Sequence, residues 1–475
     1  MTGPVDRGRP GPTGPPASCA RTEGTFLPSM AVAPPTAARP IGRIALVSLG
    51  CAKNLADSER LVGDLEGAGF ALADDIEEAD LALVNTCGFI DPAKEESVDT
   101  ILAVAQRKEY GRLRGVIVAG CLVERYAEHL SKEIPEVDRW MSFKDYPRVV
   151  AAARELMGLA PASGPSSRKR VLLTPAGYAY LKISEGCDQK CTFCSIPSFR
   201  GRLVSRTIED LVEDARAIAA RGVGEVDLVS QDTTAYGRDI YGKPRLADLI
   251  RALTAVEGPR WWRLLYLYPS ILRDDVIDEI ATNPRVAKYV DLPVQHMSGA
   301  MLRAMRRGIT ADRQRALLER IRERIPGVAI RTTLIAGFPG ETDADHAASL
   351  AGVEAGLFDR LGVFTYCREE GTPSHDMADQ VPAETAAARR DELMAAQQAV
   401  HFGKNAPRVG TTVDVLVETV DPLGRSALGR TEQDAPDVDG KVRVAPIPTG
   451  LKAGGFLRVR VTASEGYDLV ATPAV

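Results

Sequence analysis

The sequence predicts an α/β protein of several domains, with an N-terminal parallel α/β domain, a central partial (βα)6 barrel and a small C-terminal antiparallel β-barrel. From Arg43 onward, apolar runs alternate with helical stretches, which is typical of βαβ units and a parallel sheet. After about Pro407, short alternating runs are separated by glycine and proline turns, as in small antiparallel barrels. With 475 residues, the chain is long enough for two or three such domains.

Composition along the chain divides it into five segments. Residues 1–40 are crowded with proline, glycine, alanine, serine and threonine, which predicts a disordered extension in which Cys19 is an incidental exposed thiol. A later stretch rich in proline, glycine and serine predicts a linker. The predicted boundaries are 1–40 for the extension, 41–157 for the N-terminal domain, 158–170 for the linker, 171–404 for the barrel and 405–475 for the C-terminal domain.

Composition and charge disfavour several classes of protein. The net charge is -5, so no broad nucleic-acid-binding surface is expected. From Pro407 onward the chain carries eight basic and nine acidic residues, which leaves RNA contact possible but favours a protein partner. Because no run of about 18 apolar residues and no apolar leader occur, we expect a cytoplasmic protein without membrane contact.

Three cysteines follow the three predicted strands of the N-terminal domain. Strands are predicted at 43–49, 81–85 and 115–119, with helices at 58–69 and 94–108 between them. Cys51, Cys87 and Cys121 come at the ends of these strands. Because the carboxyl ends of parallel strands meet at one edge of a sheet, we expect the three thiols to converge. Three unrelated core cysteines are the alternative, but that interpretation does not explain their shared position.

Glycines flank each of these cysteines. Gly50, Gly88 and Gly120 are expected to let the backbone approach a bulky inorganic group. Three thiols in this arrangement therefore predict a first site for a metal or a cluster.

A second group of cysteines, Cys187, Cys191 and Cys194, lies within eight residues after the first predicted strand of the barrel. Barrels of this kind carry their active sites at the carboxyl ends of the strands. A structural zinc ion usually takes four protein ligands, and the next histidine, His296, is too distant in sequence to be a local one. Three thiolates instead suit three corners of a [4Fe-4S] cluster, whose fourth iron can bind a small molecule.

Six βα units are predicted in the central region. Strands are predicted at 179–183, 225–230, 263–268, 289–292, 329–336 and 361–366, and helices at 208–221, 245–256, 271–282, 309–325 and 343–356. A further helix at 383–400 leads to the C-terminal domain. The opening cysteine stretch thus lies at the catalytic end of the barrel.

Other residues at the strand ends are weaker candidates. Gln231 follows the second strand and offers a polar side chain, although ordinary loop chemistry explains it equally well. Gly337 follows the fifth strand and could bring backbone amides close to an adenine or ribose, although a plain turn is nearly as good an explanation. His296 is expected to be structural, and Cys367 is expected to be a structural or spectator thiol.

Together these residues resemble the radical S-adenosylmethionine (SAM) methylthiotransferases. The spacing of Cys187, Cys191 and Cys194, with Phe193 before the last cysteine, is similar to the radical SAM signature. The strand-end cysteines resemble the N-terminal cluster domain of that family, and the last domain resembles its TRAM domain. The resemblance extends from Ile41 to the C-terminus.

Within the family, local sequence favours one branch. The residues around Cys51 and Cys87, and the pair Gln231-Asp232, are similar to the enzymes that modify an aspartate of the twelfth small-subunit ribosomal protein. The transfer-RNA-modifying relatives usually carry other residues around these cysteines and a glutamine-asparagine pair at that place. A transfer-RNA adenosine methylthiotransferase is nevertheless the alternative function.

The resemblance implies two [4Fe-4S] clusters and SAM as cofactors. The cluster on Cys187, Cys191 and Cys194 would bind and cleave SAM, and the residues expected to contact the cofactor are Phe193, Gln231, Ile335 and Gly337. The resulting radical would abstract hydrogen from the β-carbon of an aspartate, which no protein acid or base could do. The cluster on Cys51, Cys87 and Cys121 would supply the methylthio group, giving 3-methylthioaspartate.

The same resemblance implies partners for the reaction, and one different class of protein is the alternative to an enzyme. The partners would be the small-subunit ribosomal protein, a reductant such as flavodoxin or ferredoxin, and a sulfur donor. A non-catalytic electron carrier or zinc scaffold is the alternative from another class. Two incomplete cysteine triads oppose it, because structural sites favour full ligation.

Overall fold

The computed structural model describes residues 39–160 and 170–474. The predicted extension up to residue 38, with Cys19, and most of the predicted linker lie outside these described ranges. No helix in the described ranges is both long and apolar enough to cross a membrane.

The N-terminal domain is a five-stranded parallel sheet with helices on both faces. Its strands are β1 (Arg43–Ser48), β2 (Ala71–Leu72), β3 (Leu81–Thr86), β4 (Gly115–Gly120) and β5 (Arg139–Met141), in the order β2-β1-β3-β4-β5. Its helices are α1 (Ala52–Gly67), α2 (Asp91–Tyr110), α3 (Cys121–Glu133) and α4 (Val149–Leu156). Apolar clusters cover each face of the sheet, as expected for strands that are buried on both sides.

The central domain is an open barrel of six parallel strands. These are β6 (Tyr178–Lys182), β9 (Glu225–Val229), β10 (Trp261–Leu264), β11 (Tyr289–Asp291), β12 (Ala329–Ala336) and β13 (Arg360–Thr365). They form two three-stranded groups, β10-β9-β6 and β11-β12-β13, and a bridge between Trp262 and Val286 joins the groups. A short hairpin of β7 (Ser184–Glu185) and β8 (Val204–Ser205) brackets the cysteine-rich loop after β6.

Helices surround the barrel and bury its outer face. They are α5 (Ile196–Arg200), α6 (Ile208–Ala219), α7 (Arg238–Tyr241), α8 (Leu246–Thr254), α9 (Asp274–Thr282), α10 (Gly299–Ala304), α11 (Ala311–Arg324), α12 (Asp343–Glu354) and α13 (Ala383–Asn405). Threonine side chains cap α6, α11 and α12 by accepting hydrogen bonds from backbone amides in the first turn. The largest apolar cluster of the chain lies between these helices and the strands.

The C-terminal domain is a closed five-stranded barrel. Its strands are β14 (Thr412–Val420), β15 (Ala427–Arg430), β16 (Val442–Val444), β17 (Phe456–Glu465) and β18 (Asp468–Pro473), in the order β14-β15-β16-β18-β17. The pairing is antiparallel except between β16 and β18, which are parallel. The predicted small antiparallel barrel is thus confirmed, and one pair has to be parallel because strands of alternating direction cannot close a ring with an odd number of strands.

A loop of the C-terminal barrel closes the floor of the central barrel, at the amino ends of its strands. Asp437 accepts a hydrogen bond from the Tyr178 hydroxyl at 2.9 Å, and Asp439 accepts one from the Tyr289 hydroxyl at 2.6 Å. Arg430 forms a buried ion pair with Glu225 at 2.8 Å. The opposite, carboxyl end of the barrel is left to face the N-terminal domain.

Candidate active site

The structure brings Cys51, Cys87 and Cys121 together at one edge of the N-terminal sheet. Cys51 precedes the first residue of α1, Cys87 follows β3, and Cys121 is the first residue of α3. The strands before them are direct neighbours, with β3 lying between β1 and β4. Their carboxyl ends therefore deliver three free thiols to the same place, as the positions along the sequence predicted.

The glycines beside these cysteines serve contacts between the loops. A Cβ atom on Gly50 would lie 2.8 Å from the Cys87 Cβ, and one on Gly88 would lie 2.7 Å from the Cα of Leu122. Both are too close for a side chain. The sequence predicts that these glycines let the backbone approach an inorganic group. In the structure, they instead let the loops approach one another.

A buried amide network fixes the loops of this triad. The Asn54 Nδ2 donates to the carbonyl oxygens of Leu49 at 2.7 Å and Thr86 at 3.1 Å. The Asn85 Nδ2 in turn donates to the Asn54 carbonyl at 3.0 Å and to the Ser58 hydroxyl at 2.8 Å. Because these groups pair completely across three segments, the loops that carry Cys51 and Cys87 are held in register.

The second triad lies at the mouth of the central barrel. Cys191 is buried, and its Sγ accepts a hydrogen bond from Arg307 Nη1 at 3.2 Å, with the Tyr268 hydroxyl at 3.5 Å. The Cys187 backbone amide donates to the carbonyl of Gly201 at 3.1 Å, and its Sγ accepts from the backbone amide of Gln189 at 3.4 Å. These bonds hold the loop in a fixed path directly after β6 and β7.

Spacing within each triad fits a cluster better than a single ion. Among the described residues, neither triad has all three Sγ atoms within 4.8 Å of one another. Thiolates bound to one tetrahedral zinc ion, with bonds of about 2.3 Å, would be roughly 3.8 Å apart. Thiolates bound to different iron atoms of a cluster lie further apart than that. The spacing within each triad therefore differs from that of three thiolates on one zinc ion.

Burial controls the protonation of the free thiols. It raises the pKa of Cys87, Cys187 and Cys194 to about 12 in each case. Burial also raises the pKa of Cys51, but Lys53 and Arg200 outweigh it and leave that pKa below its ordinary value. Most of the six thiols therefore carry protons at neutral pH, and binding of iron has to release them.

Arg200 connects the barrel domain to the N-terminal triad, and no sequence pattern marks this residue. It ends α5 in the barrel domain, yet its Nη2 and Nε donate to the Sγ of Cys121 at 3.1 and 3.3 Å. Its Nη1 pairs with Asp57 at 2.9 Å and with Glu185 at 3.0 Å. A lone arginine in a short helix has no periodic pattern, so only the assembled domains reveal its partners.

Two of the predicted cofactor contacts meet in one apolar cluster. Phe193 and Ile335 pack against a buried group made up of Met301, Met305 and Phe338. The cluster lies beside the cysteine loop, where it offers an apolar wall. Contact of these two residues with the cofactor stays a prediction.

The other two predicted cofactor contacts, Gln231 and Gly337, already donate hydrogen bonds within the protein. Gln231 Nε2 donates to Glu185 Oε1 at 2.6 Å, while its own Oε1 is buried without a partner among the described residues. That oxygen can accept a hydrogen bond from a bound cofactor. Gly337 has φ of 80°, and its amide donates to the Glu341 carboxylate. The positive φ explains why a glycine stands at this position. The hydrogen bond to Glu341 means that its amide is already used within the protein.

His296 is a structural residue. It is buried, its Nε2 lies 3.1 Å from Glu341 Oε1, and its Nδ1 accepts from the Ser298 amide at 2.9 Å. Cys367 lies 3.8 Å from Asp91, close to the buried Glu369. This trio resembles a metal site, but Lys94 already pairs with both carboxylates, at 2.6 and 2.9 Å.

Comparisons with known proteins agree with this architecture. Three family models match: the family described as UPF0004 over residues 43–142, the radical SAM superfamily over 181–351 and the TRAM domain over 409–473. A solved radical SAM methyltransferase, TsrM from Kitasatospora setae, has a TM-score of 0.51 at 17% identity and covers 70% of this chain and 76% of its own. That likeness concerns the fold. Fold and site together define a SAM-dependent radical enzyme that uses an iron–sulfur cluster.

Curated relatives show to which family within this class of enzymes the chain belongs. The chain is 46% identical over 456 residues to the ribosomal protein uS12 methylthiotransferase RimO of Symbiobacterium thermophilum, covering 94% of this chain and 93% of the relative. It is 44% identical over 438 residues to RimO of Geobacter sulfurreducens, covering 90% and 98%. RimO of Aquifex aeolicus is 45% identical over 428 residues, covering 90% and 96%. The chain belongs to the RimO family of radical SAM methylthiotransferases.

Proposed function

We propose that this protein transfers a methylthio group to the β-carbon of an aspartate in ribosomal protein uS12, giving 3-methylthioaspartate. The relatives at 42–46% identity are named for action on uS12. The observation that carries the proposal is the pair of cysteine triads on two adjoining domains, with Arg200 of the barrel domain in contact with Cys121. One site can start radical chemistry while the other supplies sulfur, and the two have to act on the same carbon.

We assign one [4Fe-4S] cluster to each triad. Cys187, Cys191 and Cys194 would hold the cluster that binds SAM, and together these groups supply the one-electron chemistry that breaks an unactivated C–H bond. Phe193 and Ile335 would line the cofactor site and exclude water, and Gln231 would accept a hydrogen bond through its free oxygen.

The N-terminal triad would hold the second cluster. Cys51, Cys87 and Cys121 supply three ligands, and a fourth would close the iron at which sulfur has to bind. The amide network of Asn54 and Asn85 keeps these ligands in place. An external sulfur donor and a reductant such as flavodoxin or ferredoxin would be needed, and the cytoplasm, where ribosomes are made, is the expected place of action.

Charges on the C-terminal barrel support a protein substrate over transfer RNA. Several of its basic side chains pair with acidic ones: Lys441 pairs with Glu418 at 2.6 Å and Arg443 with Glu465 at 2.6 Å. Paired cations are poorly placed to neutralise a row of phosphates. A basic segment of a ribosomal protein is a better match for this surface.

The test compares both substrates with the same enzyme. Holoenzyme with reconstituted iron and sulfide is incubated anaerobically with SAM, sulfide and reductant, and with either uS12 or bulk transfer RNA. We expect the methylthio mass on the uS12 aspartate peptide and none on adenosine. A modified nucleoside together with unmodified uS12 would reject the proposal. Iron analysis is expected to give about two clusters per chain.

A further inference from the structure

Lys53 lies at the junction between the N-terminal domain and the mouth of the central barrel. It is the second residue of α1, two positions after Cys51, and it is only 9% exposed. The first turns of α1 pack into the mouth, where Ala56 shares an apolar cluster with Val229 and Leu265. Val229 ends β9 and Leu265 follows β10. The lysine is therefore buried between the two triad-bearing domains.

The ammonium group of Lys53 is directed at the barrel. Its Nζ lies 3.3 Å from the centroid of the Tyr266 ring. Tyr266 has φ of 62°, in the left-handed region that non-glycine residues rarely adopt. Its amide donates to Asp291 Oδ2 at 2.8 Å, and its carbonyl accepts from the Thr233 amide at 3.1 Å. Such strain persists where the surroundings enforce it, often at ligand sites, and here it holds the ring against Lys53.

Lys53 has no carboxylate partner among the described residues. It interacts with the Tyr266 ring and with Cys51, whose pKa it helps to lower. Other cations at this junction do pair with carboxylates: Lys182 and Arg200 with Asp57 and Glu185, and Lys94 and Arg125 with Glu369. A buried cation without a carboxylate partner is costly, so the carboxylate of a bound substrate would stabilise Lys53.

The helix that carries Lys53 adds to the positive potential. α1 has no acidic residue in its first turn, and the side chain of Cys51 makes no capping hydrogen bond. The N-terminus of a helix favours negative charge and offers free backbone amides. Lys53 and the start of α1 thus form one anion-binding feature beside the N-terminal triad.

We propose that Lys53, with the start of α1, binds the side-chain carboxylate of the substrate aspartate. This inference rests on the proposed function. That carboxylate is bonded to the β-carbon that reacts, so a cation that holds it has to lie between the two triads. The alternative partner is the N-terminal cluster itself, but Arg200 already donates two hydrogen bonds to Cys121, and Nζ of Lys53 is turned to Tyr266 instead.

The experiment measures which substrate charge Lys53 recognises. Holoenzymes of the wild type, Lys53→Met and Lys53→Arg are compared with Lys132→Met, a control on the exposed face of α3. Binding of uS12 loop peptides with aspartate or asparagine at the target position is measured anaerobically by fluorescence anisotropy. We expect the wild type and the control to prefer the aspartate peptide by about tenfold to a hundredfold, since hydrogen bonds to charged groups are of that strength. Lys53→Met should lose the preference, and Lys53→Arg should keep most of it.

Iron content and SAM cleavage without substrate are measured on the same samples, and we expect Lys53→Met to retain both. A Lys53→Met variant that keeps the aspartate preference overturns the inference. So does one that loses iron, because Lys53 would then serve the cluster. A wild type that leaves uS12 unmodified counts against the proposed function as well, whereas an active wild type with an unaltered Lys53→Met preference counts against Lys53 alone.

Discussion

At the scale of single residues, each triad has one thiol that accepts a hydrogen bond from a buried arginine, and the two arginines are different residues. Arg307 donates to Cys191 at 3.2 Å, and Arg200 donates to Cys121 at 3.1 Å. Hydrogen bonds to a ligand sulfur stabilise the electron-rich reduced cluster and so raise its reduction potential. Arg200 belongs to the barrel domain, so the N-terminal triad depends on a neighbouring domain for this contact.

Replacing Arg200 should lower the potential of the N-terminal cluster. Arg200→Met removes both hydrogen bonds to Cys121, so we expect the midpoint potential to fall by tens of millivolts, with a smaller fall in Arg200→Lys. The measurement is a redox titration followed by electron paramagnetic resonance, in a chain whose second triad has been replaced by alanine. Arg112→Met, on an exposed arginine of the same domain, is the control. Equal potentials in Arg200→Met and the control would show that the contact does not tune the cluster.

Single cysteines should separate the two steps of the reaction. Cys194→Ala is expected to abolish SAM cleavage, because the SAM-binding cluster loses a ligand. Cys87→Ala should leave cleavage intact and abolish insertion of sulfur. Chromatography of the cleavage product and mass spectrometry of uS12 measure the two steps. Equal loss of both activities in both variants would contradict the division of labour.

At the scale of elements, the alternating pattern predicts the strands that matter most. β12 has the predicted bounds, and the cysteine-bearing strands differ from prediction by one residue at their carboxyl ends. β2 and β5 were not predicted, because strands of two and three residues are too short to show alternating apolar and polar residues. The helix predicted from residue 58 begins at Ala52, and Ser58 lies inside it as a buried partner of Asn85.

Contacts between domains cannot be predicted from such local sequence patterns. The triads were predictable because each cysteine follows a recognisable strand or stands in a short motif. Arg200 and Cys121 are 79 positions apart, and nothing near either residue marks the pairing. The same holds for Lys53, whose burial depends on how α1 enters the barrel mouth.

One such contact links helices α2 and α3 to the loop after β13. Glu369 is buried and pairs with Lys94 at 2.9 Å and with Arg125 at 2.7 Å. Lys94 keeps Asp91 as a partner, but the buried Arg125 loses its acidic one, so Glu369→Gln should reduce the free energy of unfolding by about 3 kcal/mol. Urea denaturation measures the loss. The adjacent, exposed Glu370→Gln is the matched control, and an equal effect of both changes would refute this role.

At the scale of the whole molecule, the C-terminal barrel is part of the central barrel's structure. Asp434 of the C-terminal domain pairs with Arg360, the first residue of β13, at 2.5 Å. Burial raises the pKa of Asp434, but Arg360, Arg408 and Thr431 outweigh it and lower that pKa to about 2. The two domains are therefore coupled through a charge that depends on pH.

This coupling predicts a pH-dependent stability. Because the folded pKa of Asp434 lies below its ordinary value of 3.8, the pair stabilises the fold above about pH 4 and its contribution is lost as the pH falls toward 2. The shift corresponds to about 2 kcal/mol. Asp434→Asn should cost that much at pH 7 and progressively less below pH 4, as measured by urea denaturation at both ends. A penalty that is equal at pH 7 and pH 3 would exclude the carboxylate's charge as its source.

The buried floor predicts that both barrels unfold together. Arg430 pairs with Glu225 of the central barrel at 2.8 Å and also with Glu418, and all three side chains are buried. Arg430→Met removes one cation from each of two buried carboxylates, which keep only Arg263 and Lys441 as partners, so it should cost about 3 kcal/mol. Arg443→Met, which removes an exposed pair on the neighbouring strand β16, should cost less than about 1 kcal/mol. If the C-terminal domain were a separable appendage, Arg430→Met would melt it alone and produce two transitions. Because the charge lies in the floor of the central barrel, circular dichroism and the visible absorbance of the clusters should be lost at the same lowered temperature.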